Sequence, residues 1–254
     1  MRLSANGGLI CHVRVFMQAF TFNAVGFIES PYKQKFAIPR QPGLIPEARG
    51  QLVLQPPYAD DAIVRGIESF SHLWLVFVFH QTADKGWSPL VRPPRLGGNQ
   101  KKGVFATRAT FRPNPVGLSV VKLEGVQRRG EQLVLLLSGL DLLDGTPVLD
   151  IKPYLPYSDA LPQAAGGFAD AAPETMMTVS LSEQAQTFCQ HSKIPDLQIF
   201  IEKVLKQDPR PPYKKQRDEV QSYGMTLYDL NIKWTVDGEH NHVTEIRRQP
   251  PTED

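Results

Sequence analysis

The sequence predicts a mainly β protein, in which a small β-barrel is followed by a C-terminal α+β extension. Segments of strand-favouring composition recur at short intervals over the first 157 residues, with only one brief helical segment among them. Of the 254 residues, 22 are proline, which favours loops and strands over long helices. Extended helical periodicity begins only at residue 182.

The first half of the chain contains four predicted strands and one short helix. Residues 72–80 (HLWLVFVFH) are apolar on both faces, which predicts a central strand of the sheet. Asp60 and Asp61 favour the first turn of a helix that ends near Gly66. The predicted strands are 20–28, 51–55, 72–80 and 104–107, and the predicted helix is 59–67.

A hairpin and a further strand complete the predicted barrel, and a different pattern follows. The hairpin joins 118–126 to 132–138, and the next strand is 148–151. The later segments are a Pro- and Ala-rich linker at 156–175, a helical stretch at 182–207 broken at Pro195, and a hairpin of 223–236 with 242–247. We therefore expect an extension outside the fold at 1–16, a barrel domain at 17–158, a linker at 159–175 and an α+β domain at 176–254.

Composition narrows the functional classes. The two cysteines, Cys11 and Cys189, form no CxxC pair, which predicts a reducing, cytoplasmic environment and neither a disulfide framework nor a zinc site. The longest apolar run suits a buried strand and is too short to span a membrane. The sequence contains no GxSxG, P-loop, HExxH or GxGxxG motif, so a metalloprotease, a P-loop NTPase and a Rossmann cofactor site are not predicted.

Charge is segregated although the net charge is only +2. Residues 92–122 contain seven basic residues and no acidic one, and residues 203–217 contain six basic residues and one acidic residue. A single basic run is most simply a solvated surface, but two such runs favour a polyanionic partner.

Several polar loops follow predicted strands, and the most unusual is residues 103–117 (GVFATRATFRPNPVG). Two prolines fix the backbone on either side of Asn114, and Arg108 and Arg112 frame the ring of Phe111. Strand ends of a small barrel can meet at one mouth, where ligands bind. Each loop also has a simpler explanation as a stiff turn or a capped strand end.

These loops carry a family resemblance. The motifs PRQPG, SHLWLVFVFHQT, RPPRLGGN, GVFATRATFRPNPVG and LDLLDGTPVLDIKPYLPY occur in the same order as in the TsaA-like family, and DPRPPYKK and YDLNIKW are similar to its bacterial long form. The family comprises S-adenosylmethionine-dependent tRNA (adenine-N6)-methyltransferases. The resemblance implies a β-barrel unlike the Rossmann methyltransferases, a homodimer, and methylation of N6 in threonylcarbamoyladenosine 37, beside the anticodon of tRNA.

The resemblance also implies the cofactor contacts. At these positions Ser138 is a departure, because relatives often have glycine there. The implied S-adenosylmethionine-binding residues are Pro39, Arg40, Gln41, His80, Gln81, Arg108, Leu118, Ser138, Gly139, Leu140 and Asp141.

Methyl transfer from a sulfonium is an in-line displacement, so the enzyme's task is positioning and electrostatics. Asp141 could accept hydrogen bonds from ribose hydroxyls or the amino group, and either Arg40 or Arg108 could pair with the methionyl carboxylate. For the acceptor base, our hypotheses are Asn114 to orient the N–H group, Arg112 to bind the threonylcarbamoyl carboxylate, and Asp144 or Asp150 as general base. Asn114 has an equally simple role in satisfying the turn between two prolines.

The basic runs are predicted to hold the phosphates of the anticodon stem-loop. Two rival functions remain: a non-catalytic barrel that binds S-adenosylmethionine or RNA, and a methyltransferase with another acceptor. The RPNP and DGTPVLD motifs favour catalysis. The predicted phosphate contacts are Arg92, Arg95, Lys101, Lys102, Arg210, Lys214 and Lys215.

Overall fold

A computed structural model of the chain describes residues 19–173, 177–210 and 219–250. The predicted extension at 1–16 lies outside these residues. The N-terminal part contains eight strands: β1 (Gly26–Glu29), β2 (Gly50–Leu54), β3 (His72–Val78), β4 (Leu90–Val91), β5 (Lys102–Gly103), β6 (Val116–Arg129), β7 (Gln132–Ser138) and β8 (Pro147–Pro153).

Six of these strands close into an antiparallel barrel in the order β1-β2-β7-β6-β3-β8, while β4 and β5 form a separate ribbon. The prediction of a mainly β fold is confirmed. As predicted, β3 is an internal strand, with β6 on one side and β8 on the other. The barrel core is apolar.

Side chains of the barrel strands alternate between the interior and the outer face. On β3, Leu73, Leu75 and Phe77 are buried, and the residues between them are half-buried. The ring of Phe77 lies over its partner Gly117 on β6, where a Cβ atom would be 2.2 Å from the ring. Only glycine fits there, so this position sets how closely β3 and β6 approach.

The C-terminal part is a four-stranded sheet with helices against it. Its elements follow a short helix α1 (Pro156–Asp159), and they are β9 (Thr178–Leu181), α2 (Glu183–Gln190), α3 (Leu197–Lys206), β10 (Gln221–Leu227), β11 (Leu230–Asp237) and β12 (His240–Arg248). The sheet order is β10-β11-β12-β9, with β9 parallel to β12. The helical stretch divides near Pro195, as predicted.

The two parts share one continuous core. Tyr32, fully buried after β1, packs against Phe200 of α3 with ring centroids 5.9 Å apart. The Tyr228 N–H group donates to the Pro31 carbonyl at 2.8 Å. An ion pair of 2.6 Å joins Lys203 of α3 to Glu47, which lies in the loop before β2. The C-terminal helices therefore pack against the loop that leads from β1 to β2.

Several predicted elements were wrong in extent or type. The first strand begins at Gly26, because Phe20 and Phe22 before it are exposed and pair with no strand of the described chain. The predicted helix at 59–67 is two short 3₁₀ turns separated at Gly66, whose φ of +85° interrupts helical geometry.

The predicted strand at 104–107 is also a 3₁₀ turn, at Val104–Ala106. The predicted strand at 223–236 is two strands, because the chain reverses at Tyr228 with a φ of +54°. The parallel strand β9 was not predicted, because four residues that pair with a distant strand leave little local signal.

Candidate active site

Three of the predicted cofactor segments meet at one end of the barrel. The loop containing Gln41 contacts the loop after β7, where the Gly43 N–H group donates to the Gly139 carbonyl at 3.0 Å. Arg108 reaches the same place, since its Nη1 atom donates to Gln41 Oε1 at 2.5 Å. Residues separated by 67 positions in the chain thus become neighbours at this mouth of the barrel.

Asp141 is the carboxylate of this cluster. Ser119, buried on the inner face of β6, donates through Oγ to Asp141 Oδ1 at 2.5 Å. Burial raises the pKa of Asp141 to about 6, although the Ser119 hydrogen bond and the positive charge of Arg108 both act to lower it. The site therefore holds an acceptor whose ionisation is costly without a cationic or hydrogen-bonding ligand.

The other predicted cofactor residues lie along β3 and β6. His80 and Gln81 follow β3, and the Phe79 N–H group donates to the Pro115 carbonyl at 2.8 Å, joining this strand end to the start of β6. Leu118 lies on the outer face of β6, where 54% of its surface is exposed. The mouth is therefore flanked by an exposed aliphatic side chain next in sequence to Ser119.

The predicted loop residues differ in how they are engaged. The exposed guanidinium of Arg40 has no partner among the residues that the structure describes, whereas Arg108 is held by Gln41. Gly139 has a φ of +70°, which favours glycine. Ser138 donates through Oγ to Glu124 Oε1 at 2.6 Å on β6, so a side chain at this position has its own partner.

Arg112 is engaged within its own loop. Its Nη1 atom donates to the carbonyls of Thr107 at 2.8 Å and Val104 at 3.2 Å, and its guanidinium lies 5.7 Å from the centroid of the Phe105 ring. These contacts hold the loop from 104 to 112 closed. The predicted contact between Arg112 and the substrate carboxylate stays a hypothesis. In the structure, the guanidinium stabilises its own loop.

Asn114 is exposed, and its backbone carbonyl closes the turn by accepting from the Val116 N–H group at 2.7 Å. Within the described ranges its side-chain amide has no hydrogen-bond partner. The turn is therefore satisfied by the backbone, and the amide is available to a ligand.

The two candidate bases occupy different places. Asp144 accepts from the Ser30 N–H group at 2.9 Å and pairs with Lys33 at 2.6 Å, so it ties the turn after Asp141 to the end of β1. Asp150 pairs with Lys152 at 2.6 Å on the outer face of the barrel. Through Val76 it is aligned across the strands with Leu118. Asp150 therefore lies on the same outer face as Leu118, a predicted cofactor contact, whereas Asp144 stabilises the fold.

Some of the predicted phosphate contacts are exposed, and others are bound to neighbouring residues. Arg92 and Lys101 are exposed, and Lys102 is half-buried. The guanidinium of Arg95 donates to the Ala171 carbonyl. Arg210 is only 9% exposed at its side chain and pairs with Asp208 at 2.7 Å, which argues against the predicted phosphate contact. Lys214 and Lys215 lie outside the described residues.

Two functional contributions were not predicted. Ser119 is a polar residue at an inward position of an otherwise apolar strand face, and that break in the alternation of β6 is a signal that the sequence contains. The contact of Lys203 with Glu47 joins residues 156 positions apart and has no local signal.

Two searches of the described ranges gave negative results. No group of three or more His, Cys, Asp or Glu side chains is arranged to hold a metal ion there. No helix in those ranges has the length and apolar character needed to cross a membrane.

The chain matches two family models, one for each of its two parts. The family model of the tRNA-methyltransferase O N-terminal domain matches residues 27–160, and that of the TrmO C-terminal domain matches residues 174–249. The tRNA (adenine(37)-N6)-methyltransferase of Escherichia coli is 51% identical over 222 residues, which cover 87% of this chain and 94% of that protein. A Pseudomonas aeruginosa relative, 50% identical over 83% of this chain and 90% of its own length, has a name that includes S-adenosylmethionine-dependent methyltransferase.

A solved structure is similar over nearly the whole chain. The crystal structure of TrmO from Pseudomonas aeruginosa superposes with a TM-score of 0.73 at 42% sequence identity, covering 91% of this chain and 99% of that one. The similarity extends over both the barrel and the C-terminal sheet.

Replacing the Asp141 carboxylate tests the electrostatics at the mouth of the barrel. At about 1.4 kcal/mol per pH unit, the rise in the pKa of Asp141 from 3.8 to about 6 corresponds to about 3 kcal/mol of unfolding free energy. Because the folded-state pKa is raised, this stability is present below pH 3.8 and is lost as the pH rises through 6. We expect Asp141→Asn to be more stable than the wild type at pH 8, and the difference to shrink towards pH 4.5.

Urea unfolding of the ligand-free proteins at the two pH values measures this difference. Asp150→Asn, which removes a carboxylate from the outer face of the barrel, is the matched control. A variant whose stability relative to the wild type is the same at both pH values would contradict the assigned electrostatics.

Proposed function

This chain belongs to the tRNA-methyltransferase O family, and we propose that it transfers a methyl group from S-adenosylmethionine to N6 of adenosine 37 in tRNA. The names of its relatives support this activity. The observation in the structure that carries it is the meeting of Gln41, Arg108 and Asp141 at one mouth of the barrel. We further propose that the acceptor is the threonylcarbamoyl-modified base and that the enzyme is a cytoplasmic homodimer, as the family resemblance implies.

The residues at the mouth fit S-adenosylmethionine, whose sulfonium supplies an activated methyl group. Its methionyl carboxylate requires a cation, and Arg40 offers an exposed guanidinium with no partner in the part of the chain that the structure describes. Its amino group and ribose hydroxyls are donors, and the half-buried carboxylate of Asp141 is an acceptor. Leu118 offers an exposed aliphatic surface for the adenosyl part.

Between the two arginines, Arg40 is the better candidate for the methionyl carboxylate. Arg108 already donates to Gln41, and its charge acts on Asp141. We therefore assign Arg108 to hold Gln41 and the Asp141 carboxylate in place, so that the cofactor meets a preformed set of polar groups. Preformed groups reduce the entropic cost of binding and of reaching the reactive geometry.

The acceptor nitrogen is a poor nucleophile because its lone pair is delocalised into the purine and the carbamoyl group. A side chain that accepts its N–H proton in a hydrogen bond would favour attack on the methyl group. Asn114 has a free amide at the end of the loop that carries Arg108. Of the two candidate bases, Asp150 is the better placed. It lies opposite Val76 on β3, and Val76 lies opposite Leu118 on β6, so two strand spacings separate Asp150 from Leu118, about 10 Å.

The activity is tested with S-adenosylmethionine labelled in its methyl group. We expect label in N6-methylated threonylcarbamoyladenosine when the tRNA carries the threonylcarbamoyl group, and none when that group is absent. Nucleoside analysis by mass spectrometry identifies the product. Transfer to the unmodified tRNA would contradict the proposed acceptor, and cofactor binding without transfer to either tRNA would favour the non-catalytic barrel.

A second variant tests the role of the free amide. Asn114→Ala should lower kcat by at least about tenfold at saturating S-adenosylmethionine, because a positioned acceptor is lost from the transition state. The dissociation constant for S-adenosylmethionine should stay unchanged. Asn99→Ala, an exposed asparagine in a neighbouring turn, is the matched control. Unchanged turnover in Asn114→Ala would remove Asn114 from the reaction.

A further inference from the structure

The loop between β5 and β6 exposes an aromatic ring. Phe105 is 78% exposed, although its neighbour Val104 is buried and anchors the 3₁₀ turn that carries both residues. Burying a phenylalanine side chain is worth roughly 2–3 kcal/mol, and this ring forgoes most of that gain. Single exposed rings are common on protein surfaces, so a binding role for Phe105 must be argued from the residues around it.

Two further exposed rings lie on segments that are joined to the Phe105 turn by backbone hydrogen bonds. Trp87 is 59% exposed and Phe111 is 40% exposed. The Ser88 N–H group donates to the Phe111 carbonyl at 3.3 Å, and the Val104 N–H group donates to the Pro89 carbonyl at 3.0 Å. These two backbone bonds join the segments that carry the rings. We call the cluster of Trp87, Phe105 and Phe111 the aromatic patch.

The ring of Phe105 is held in place. The guanidinium of Arg112 lies 5.7 Å from its centroid and is itself fixed by the carbonyls of Val104 and Thr107. Thr107 Oγ1 also donates to the Val104 carbonyl at 2.9 Å, which closes the same turn. A ring that is fixed before a ligand arrives loses little conformational freedom on binding.

The sequence around Phe105 and Phe111 is positively charged, which indicates the kind of ligand that the aromatic patch would bind. Residues 92–122 contain seven basic residues and no acidic one. Exposed rings among cations match single-stranded nucleic acid, in which bases stack on the rings and phosphates pair with the cations. The same positive charge disfavours a second copy of this surface as the partner.

We propose that Phe105 is a stacking platform for an unpaired nucleotide of the anticodon loop beside the base that is methylated. Phe105 precedes Arg108 by three residues, so their Cα atoms are at most about 11 Å apart. A nucleotide stacked there lies within one or two nucleotides of the cofactor mouth. Arg112 is then a positioning residue, which holds the ring and the loop. This inference rests on the proposed activity towards tRNA.

The test compares Phe105 variants in binding to the anticodon stem-loop RNA, measured by fluorescence anisotropy with the full-length protein. Phe105→Ala should weaken binding by about tenfold, and Phe105→Tyr should bind within about threefold of the wild type. Tyr157→Ala removes a ring that is 87% exposed in α1 and should have no effect. The dependence of log affinity on log salt should keep its slope in Phe105→Ala, because a ring contacts no phosphate.

Three controls distinguish the possible failures. Wild-type methyl transfer to tRNA tests the proposed activity independently, and S-adenosylmethionine binding to Phe105→Ala, measured by calorimetry, should be normal. If the wild type methylates tRNA and Phe105→Ala binds the stem-loop as the wild type does, the stacking platform is refuted and the activity stands. Loss of RNA binding that accompanies a changed oligomeric state of Phe105→Ala in sedimentation would show an interface between copies and would also refute it.

Discussion

The desolvation of the half-buried Asp141 carboxylate at the mouth of the barrel is the constraint on which the candidate site depends. Barrel closure turns Ser119 inward on β6, where it donates to this carboxylate. The loop before β2 brings Gln41 to the same place, and the loop before β6 brings Arg108. Removed from water, the carboxylate pays a desolvation cost that raises its pKa to about 6. A ligand that donates hydrogen bonds to the carboxylate, or carries positive charge, relieves that cost. The folded protein without ligand therefore already favours such a ligand.

The C-terminal domain supports the same loop from its other side. Lys203 of α3 pairs with Glu47, and the Leu140 N–H group donates to the Ala48 carbonyl at 3.4 Å. Buried beside them, Tyr32 has no hydrogen-bond partner for its hydroxyl among the described residues. Its pKa is raised by burial, then by Tyr228 and by the carboxylates of Asp141 and Glu47. Helix α3 thus contacts the loop that carries Gln41, which links the C-terminal part to the cofactor mouth.

Much of the fold could be predicted because alternation along a strand is a local property. The run that became β3 was predicted from its apolar residues on both faces, and the hairpin of β6 and β7 from two strand-like runs on either side of a turn; both are local signals as well. Contacts between distant residues had no such signal. Arg112 is a basic residue in a polar loop by sequence, and only the fold shows that it closes on Val104 and Thr107. For the same reason, the sequence could not show that Asp144 ties a turn to β1 or that Arg210 is paired with Asp208.

The central claim is that an ionised Asp141 receives the cofactor, and calorimetric titration with S-adenosylmethionine between pH 5 and pH 7 tests it most directly. In this range the methionyl carboxylate stays ionised and the amine stays protonated. Because the ligand-free pKa is about 6, affinity should fall about tenfold from its plateau as the pH drops to 5. Asp141→Asn should bind weakly and without this dependence. A wild-type affinity that does not change with pH, or a dependence that persists in the variant, would contradict the account.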